Sequence, residues 1–218
     1  MGDPAEQGGG TVRFVKIKKR IIVSFVLLVV VILLITSNTF WRWMYPIGYQ
    51  PLIQQSARAN ELDPLLVASV IRVESQFHQK DVSHAGAIGL MQLMPDTAQW
   101  VAQQMSQQGI RLTGEQNGQT NTQDLASPQL NIQLGSWYIH YLIQQFNGNE
   151  VAAIAAYNGG PKRVGQWLSN GTWNGKLQDI TDIPVGETRH FVDRVFYNYD
   201  LYQRIYGKAP EWKKAADS

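Results

Sequence analysis

The chain has 218 residues, 44% of them hydrophobic, which is enough for one compact domain and a targeting segment. Residues 1–20 contain five of the 19 basic residues and two of the 17 acidic ones, so residues 21–218 carry a formal charge of about −1 and do not indicate a nucleic-acid-binding domain. The absence of cysteine excludes a disulfide scaffold, a thiol nucleophile, a zinc–thiolate site and an acylated lipoprotein anchor.

The first predicted element is an almost unbroken apolar run from Ile21 to Ile35. Basic residues precede it and aromatic residues follow it, a pattern typical of a membrane-spanning helix whose N-terminus stays in the cytoplasm. We therefore predict a cytoplasmic basic segment over residues 1–20, a transmembrane anchor over residues 21–39 and an interfacial linker over residues 40–49. A cleaved signal peptide is the alternative, although no cleavage site of the Ala-x-Ala kind follows the run.

The rest of the sequence predicts a mainly α-helical domain over residues 50–206, followed by a polar tail over residues 207–218. Prolines that follow a capping residue mark helix starts, as Pro64 does after Asp63. Apolar residues at intervals of three and four then mark the buried faces. The predicted helices cover residues 51–60, 64–76, 95–105, 128–146, 151–157, 161–168 and 186–206, and the predicted loops cover residues 78–89 and an exposed excursion at 106–124.

Glu74 lies near the C-terminal end of the predicted helix 64–76, among apolar neighbours. A carboxyl between apolar side chains loses solvation when it ionises, so its pKa rises and it can donate a proton near neutral pH. By itself, the residue is better interpreted as a solvated carboxylate at a helix end. Asp81, in the following loop, is the obvious second carboxylate for a two-carboxylate hydrolysis and is otherwise a solvated loop acid.

Three sequence blocks give Glu74 a context. They read RVESQFHQKDVSHAGAIGLMQLMP at residues 72–95, AAYNGGP at residues 155–161 and IPVGETRHF at residues 183–191. In order and spacing they resemble the signature blocks of the lytic transglycosylase domain of the soluble lytic transglycosylase family, which is related in fold to goose-type lysozyme. The resemblance covers about residues 50–206. It implies a mainly α, lysozyme-like, all-helical single domain, here preceded by a transmembrane helix.

The resemblance also assigns roles to individual residues. Glu74 matches the catalytic acid/base of the family, and the hydroxyl of Tyr157 would bond the Glu74 carboxyl and fix its rotamer. The residues that match substrate-binding positions of the family are Ser83, Gln92, Met94, Tyr157, Asn158 and Glu187, and the match implies that Asn158 faces the acetamido group of the substrate.

Several of these positions also have a structural interpretation of their own. Met94 is a candidate core residue, Tyr157 a packed helix-end aromatic, Ser83 a loop hydroxyl and Glu187 an acid that favours the start of the last helix. Phe191 stands where the family often has tyrosine, so the chain lacks that hydroxyl.

The reaction implied by the resemblance is cleavage of the β-1,4 bond between N-acetylmuramic acid (MurNAc) and N-acetylglucosamine (GlcNAc) in peptidoglycan, with intramolecular formation of 1,6-anhydro-MurNAc. If the sugar's own acetamido oxygen stabilises the anomeric carbon, a single protein carboxyl suffices. The alternatives are a hydrolytic muramidase of the goose-lysozyme type and a non-catalytic peptidoglycan-binding scaffold at the membrane.

We expect no metal or nucleotide cofactor, because the four histidines lack metal-ligand spacing and no Gly-rich phosphate loop follows a strand. The expected location is the bacterial cell membrane, crossed once, with the catalytic domain on the extracytoplasmic side. The expected partners are the peptidoglycan glycan strand and the membrane, and no nucleic acid.

Overall fold

The computed structural model describes residues 18–112 and 124–213, and the chain divides into two compact units, residues 1–45 and residues 46–218. Within the described ranges the regular structure is helical apart from isolated β-bridges, which confirms the predicted fold class. The α-helices are α1 (Lys19–Thr36), α2 (Asn38–Met44), α3 (Gln50–Ala59), α4 (Pro64–Glu74), α5 (Pro95–Gln107), α6 (Pro128–Gln145), α7 (Glu150–Gly159), α8 (Pro161–Ser169) and α9 (Gly186–Tyr206). Short 3-10 helices cover Leu177–Asp182 and Pro210–Trp212.

The described part of the first unit consists of α1 and α2. Helix α1 has 18 residues with a mean hydropathy of 2.6 and buries none of them, so it is long and apolar enough to cross a membrane. Ser37 adopts an extended conformation, with ψ of 122°, and ends the helix. The continuous anchor predicted over residues 21–39 is therefore split between two helices. The indole Nε1 of Trp41 donates a hydrogen bond of 2.6 Å to the carbonyl oxygen of Ile35 and links α2 to α1 across this break.

The helices of the second unit begin at the signals read from the sequence. Proline occupies an early position in α3, α4, α5, α6 and α8, where a missing backbone N–H is tolerated. The Asp63 carboxylate caps α4 by accepting a hydrogen bond of 2.7 Å from the N–H of Leu65. Asn149 caps α7 in the same way through the N–H of Ala152. The observed helix bounds differ from the predicted ones by at most two residues.

Helix α4 lies at the centre of the second unit, with eight of its eleven residues buried. The Asp63 carboxylate also accepts hydrogen bonds from the Tyr199 hydroxyl, at 2.8 Å, and from the Gln203 side-chain amide, at 2.7 Å. These bonds join the start of α4 to the C-terminal half of α9. The end of α4, which is Glu74, therefore lies beside the N-terminal half of α9.

Helix α7 packs against α9 and α6, and α5 packs against α6. Leu130, Leu134 and Trp137 of α6 form a buried cluster with the inner face of α5. Helix α7 buries all five residues from Ala152 to Ala156, and its four alanines let it pack closely against α6 and α9. The last residues of α7 thereby reach the same region as the end of α4.

The packed unit extends on both sides of the predicted domain, residues 50–206. Ile47 is 4% exposed, and Trp212 is 2% exposed with its ring centroid 5.6 Å from that of Tyr206. Packed side chains therefore occur in the predicted linker and in the predicted polar tail as well. One buried side chain in an otherwise polar segment leaves no periodic pattern from which a boundary can be read.

Two further differences concern irregular segments. Helix α5 continues to Gln107, so the predicted excursion at 106–124 begins inside a helix. Residues 113–123 of that excursion lie outside the described residues. The 3-10 helix Leu177–Asp182 was not predicted, because its six residues are too few to show a hydrophobic period.

Candidate active site

Glu74 is the last residue of α4 and is partly exposed. Burial raises the pKa of its carboxyl from 4.5 to about 8; the positive charge of Arg194 opposes this rise, and the negative charge of Glu187 adds to it. At pH 7 the carboxyl is therefore mostly protonated, which is the form that a general acid requires. The apolar environment predicted for this carboxyl is present in the structure.

Glu187 and Asp81 are the candidates for a second carboxylate near Glu74. Glu187 lies in the first turn of α9, and its charge acts on Glu74. Asp81 is exposed, and its Oδ2 lies 3.9 Å from Nδ1 of His78. The charges that shift the pKa of Glu74 are those of Arg194 and Glu187, so the carboxylate that the fold brings to Glu74 is Glu187.

The chain turns sharply after Glu74. Gln76 and Phe77 are consecutive left-handed residues, with φ of 52° and 67°, a conformation that costs non-glycine residues about 1 kcal/mol or more each. The buried Ser75 donates a hydrogen bond of 2.7 Å from its hydroxyl to the carbonyl oxygen of Leu90. This bond ties the end of α4 to residues 88–92, which we call the central segment.

Asn131 of α6 forms hydrogen bonds with the backbone of the central segment. It is fully buried; its Oδ1 accepts a hydrogen bond of 2.7 Å from the N–H of Met91, and its Nδ2 donates to the carbonyl oxygens of Ile88 and Leu125 at 2.9 Å each. Gly89, with φ of 84°, packs against this amide, and a Cβ at that position would lie 2.5 Å from Asn131 Nδ2. One side chain thus satisfies three buried backbone groups.

Tyr157, near the end of α7, contacts the central segment from another side. Its hydroxyl donates a hydrogen bond of 2.8 Å to the carbonyl oxygen of Met91. Burial raises the pKa of this hydroxyl well above 10, and the nearby Glu74 charge adds to the rise. A phenol has one proton to donate, so the donation to Glu74 expected from the sequence is replaced by donation to Met91.

Asn158 is oriented by α9. Its Oδ1 accepts a hydrogen bond of 2.8 Å from Oγ1 of Thr188, a residue that is 1% exposed. Gly159 makes room for this contact, because a Cβ there would lie 2.9 Å from Thr188 Oγ1. Asn158 is therefore held by α9, whereas its neighbour Tyr157 is held by the central segment.

The other predicted substrate-binding residues lie in the loop before α5. Ser83 is exposed, and its Oγ accepts a hydrogen bond of 3.0 Å from the N–H of Ala87. Nε2 of Gln92 donates to two carbonyl oxygens of this loop, 2.9 and 3.1 Å away. Met94 is 42% exposed, so it is not a core residue. The polar side chains brace the loop, and the Met94 side chain stays accessible at its end.

Residues 51–180 match the Transglycosylase SLT domain. The chain belongs to the SLT transglycosylase family. It is similar to the soluble lytic murein transglycosylase of Escherichia coli K12, with 33% identity over 177 residues, which are 79% of this chain and 26% of that protein. It is also similar to the membrane-bound lytic murein transglycosylase C of Haemophilus influenzae, with 34% identity over 123 residues, which are 53% of this chain and 32% of that protein.

Solved structures of SLT proteins have the same fold. The 70 kDa soluble lytic transglycosylase of Escherichia coli matches 82% of this chain and 28% of its own, with a TM-score of 0.66 and 30% identity. An inactive Glu-to-Gln mutant of the lytic transglycosylase Slt of Pseudomonas aeruginosa matches 78% of this chain and 26% of its own, with a TM-score of 0.63 and 34% identity. The chain thus spans about a quarter of the length of these relatives.

Phe191 takes the place where the SLT family often has tyrosine. It is 3% exposed, and its ring stacks on that of Tyr157 with centroids 6.4 Å apart and planes 7° apart. Tyr138 of α6 also contacts Tyr157, with centroids 5.6 Å apart. Phe191 therefore supports Tyr157 by ring packing and needs no hydroxyl for that role.

The SLT signature blocks did not single out Asn131, Thr188 or Arg194. Thr188 lies inside the third block, beside Glu187, and this position is the signal that could have identified it. Arg194 follows Glu187 by two helical turns and so shares its face of α9, a relation that the helical period contains. Nothing in the sequence around Asn131 marks it, because its three partners are backbone groups and two of them, in Met91 and Ile88, are 40 and 43 positions away.

Proposed function

We propose that this SLT-family chain is a peptidoglycan lytic transglycosylase that cleaves the β-1,4 bond between MurNAc and GlcNAc and forms 1,6-anhydro-MurNAc. The observation that carries the proposal is the Glu74 carboxyl, whose pKa burial raises to about 8, so that it stays protonated near neutral pH. The relatives named lytic murein transglycosylases support the same substrate class.

In the first step Glu74 donates its proton to the glycosidic oxygen, and the bond between that oxygen and C1 of MurNAc breaks. The acetamido oxygen of the same MurNAc forms a bond to C1 as positive charge develops there. A second protein carboxylate is therefore not needed as nucleophile. Glu74 is left as a carboxylate, whose burial makes it a strong acceptor for the next proton.

In the second step the C6 hydroxyl of MurNAc attacks C1 and gives its proton to Glu74, while the acetamido oxygen leaves C1. One C1–O bond to GlcNAc has been exchanged for one C1–O6 bond, Glu74 is protonated again, and no water is consumed. The attack is intramolecular, so its entropic cost is small once the ring is held.

The proposal includes a substrate-binding role for the other matched residues. The exposed Met94 and Ser83 lie on the loop that Gln92 braces, and Asn158 offers its amide at the end of α7. Glu187 contributes negative charge beside Glu74, which favours the protonated acid. The residues proposed to bind the glycan are Ser83, Gln92, Met94, Tyr157, Asn158 and Glu187.

The test is the chemistry of the product. Full-length protein in detergent micelles is incubated with purified peptidoglycan, and the released fragments are analysed by mass spectrometry. We expect MurNAc ends that lack one water relative to a reducing end. Reducing MurNAc ends would favour the muramidase, and binding of peptidoglycan without any cleavage would favour the non-catalytic scaffold.

We also propose that α1 anchors the protein in the bacterial cell membrane, with residues 1–20 in the cytoplasm and the SLT domain on the extracytoplasmic side. The length and hydropathy of α1 support the anchor. The basic residues before it support the orientation, and the 75% exposed Trp43 after it supports a position at the membrane interface. A membrane-bound relative occurs in the same family.

The lack of cysteine permits a direct test of this orientation. Ser169→Cys, on the exposed end of α8, is expected to react with a membrane-impermeant maleimide on intact spheroplasts. Thr11→Cys is expected to react only after lysis. The opposite pattern would refute the orientation, and a mature N-terminus near Asn38 would replace the anchor by a signal peptide.

A further inference from the structure

We propose that Thr188 is a positioning residue that fixes the orientation of the Asn158 amide and thereby selects N-acetylated sugars. The inference rests on the proposed function, in which Asn158 contacts the glycan. It adds to that function a positioning residue, Thr188, that acts through Asn158.

The contact between the two residues is short and enclosed. Thr188 Oγ1 lies 2.8 Å from Asn158 Oδ1, and Thr188 is 1% exposed. A Cβ at Gly159 would lie 2.9 Å from Oγ1 and 3.2 Å from Cγ2 of Thr188, so α7 confines both branches of this side chain. A β-branched side chain confined in this way keeps one χ1 rotamer, and its hydroxyl stays directed at Asn158.

This contact decides how the amide is turned. A free asparagine amide can exchange its oxygen and nitrogen by a half-turn about χ2, and only its hydrogen bonds select one arrangement. The Thr188 hydroxyl donates to Oδ1, which holds the oxygen towards α9. The two N–H groups of Nδ2 then face away from Thr188, and within residues 18–112 and 124–213 no acceptor takes them.

An outward pair of N–H groups recognises an acceptor. The carbonyl oxygen of a sugar acetamido group is such an acceptor, whereas an N-deacetylated sugar presents an ammonium group that can only donate. Asn158, as turned by Thr188, therefore favours N-acetylated over N-deacetylated glycan.

Three variants separate this role from simple packing. Thr188→Val keeps the shape and removes the hydroxyl, so the amide is free to turn. Thr188→Ser keeps the hydroxyl and serves as the conservative control. Asn158→Asp keeps an oxygen that accepts from Thr188 but replaces the N–H donors by a second oxygen, which accepts from an ammonium group.

The first measurement is the affinity of the full-length protein for two probes, the tetramer of N-acetylglucosamine and the tetramer of glucosamine, by calorimetry near pH 6. We expect the wild type to bind the N-acetylated tetramer more tightly. Thr188→Val is expected to reduce that preference about five- to tenfold, the equivalent of one hydrogen bond. Thr188→Ser is expected to retain it, and Asn158→Asp to reduce or reverse it.

An unchanged preference in Thr188→Val or in Asn158→Asp would overturn the inference. Asn158→Asp supplies this outcome even if the valine variant is too unstable to assay, because the bond to Thr188 is kept. The two tetramers differ only in their acetyl groups, so a general loss of affinity for both would indicate a structural role.

The second measurement is a double-mutant cycle on peptidoglycan cleavage. If Thr188 acts through Asn158, Thr188→Val is expected to lower kcat/KM in the wild type and to have no further effect in Asn158→Ala. Additive losses would overturn the inference. Cleavage that survives in Glu74→Gln would instead overturn the proposed function, so the two failures are distinguishable.

Discussion

Tyr157 donates its hydroxyl proton to the carbonyl oxygen of Met91, 2.8 Å away, and not to the neighbouring Glu74. The Glu74 carboxylate therefore gains no stabilisation from this phenol, and burial is left as the main influence on its pKa. The same bond fixes the central segment against α7. The tyrosine thus shapes the site through the backbone, and the acid keeps its proton through burial.

The first prediction concerns Glu74 itself. Glu74→Gln keeps the size of the side chain but removes the exchangeable acid, so we expect cleavage to fall about 10²- to 10⁴-fold. The measurement is the release of soluble muropeptides from peptidoglycan. Asp81→Asn is the matched control, because it makes the same chemical change at an exposed carboxylate, and it is expected to retain activity. A larger loss in Asp81→Asn would reassign the acid.

The second prediction is the pH dependence of cleavage. The active form carries protonated Glu74, whose pKa is about 8, so kcat/KM is expected to fall as the pH rises through 8. The fall should approach tenfold per pH unit above that point. A rate profile from pH 5 to pH 10 tests this expectation, and a rate that rises through pH 8 would mean that the ionised form is the active one.

The third prediction uses the two charges that act on Glu74 in opposite directions. Arg194 lowers the pKa of Glu74, so Arg194→Gln is expected to move the alkaline limb of the rate profile to higher pH. Glu187 raises it, so Glu187→Gln is expected to move the same limb to lower pH. Arg204→Gln is the control on the same helix, because Arg204 pairs with Asp200. Shifts of the same sign in the first two variants would contradict the assignment.

The fourth prediction concerns stability. The pKa of Glu74 is raised from 4.5 to about 8 on folding, so the native state binds this proton more tightly than the unfolded state does. The free energy of unfolding therefore loses this contribution as the pH rises from about 4.5 to 8. Glutamine does not ionise, so Glu74→Gln should stabilise the protein more at pH 9 than at pH 5, by up to a few kcal/mol. Urea denaturation at the two pH values measures the difference; an equal effect at both would count against the raised pKa.

The sequence predicted the helices well because their signals are local. A capping Asp63 before Pro64 and the spacing of apolar residues act within a few residues of chain. The contacts that shape the site join residues far apart: Asn158 and Thr188 are 30 positions apart, Met91 and Asn131 are 40 apart. A single sequence contains no signal for such pairs.

Tyr157 gives a second reason why such contacts could not be predicted from the sequence. Its position in the second block predicted that Tyr157 lies near Glu74, and the charge of Glu74 does raise the pKa of its hydroxyl. Its hydrogen-bond partner, the Met91 carbonyl, is a backbone group 66 positions away. Because every residue carries a carbonyl, side-chain identity offers no means of predicting that partner.

The fifth prediction concerns Asn131. Asn131→Ala leaves the N–H of Met91 and the carbonyl oxygen of Leu125 without this partner, and the carbonyl oxygen of Ile88 keeps only its bond from the N–H of Leu93. We expect a loss of roughly 2–4 kcal/mol in the free energy of unfolding, since buried polar groups are costly when unpaired. Urea denaturation measures it, with Gln129→Ala on the exposed first turn of the same helix as the control. Equal effects of the two substitutions would remove Asn131 from this role.

The bond between Asn131 and Met91 also limits how the site can be transplanted. A designer who grafts residues 74–94 onto another helical scaffold moves the acid and the central segment but leaves α6 behind. The new scaffold would then have to supply a buried side-chain amide that bonds the N–H at the position of Met91 and packs against a glycine at the position of Gly89. The acid and the central segment are therefore portable only together with the part of α6 that contains Asn131.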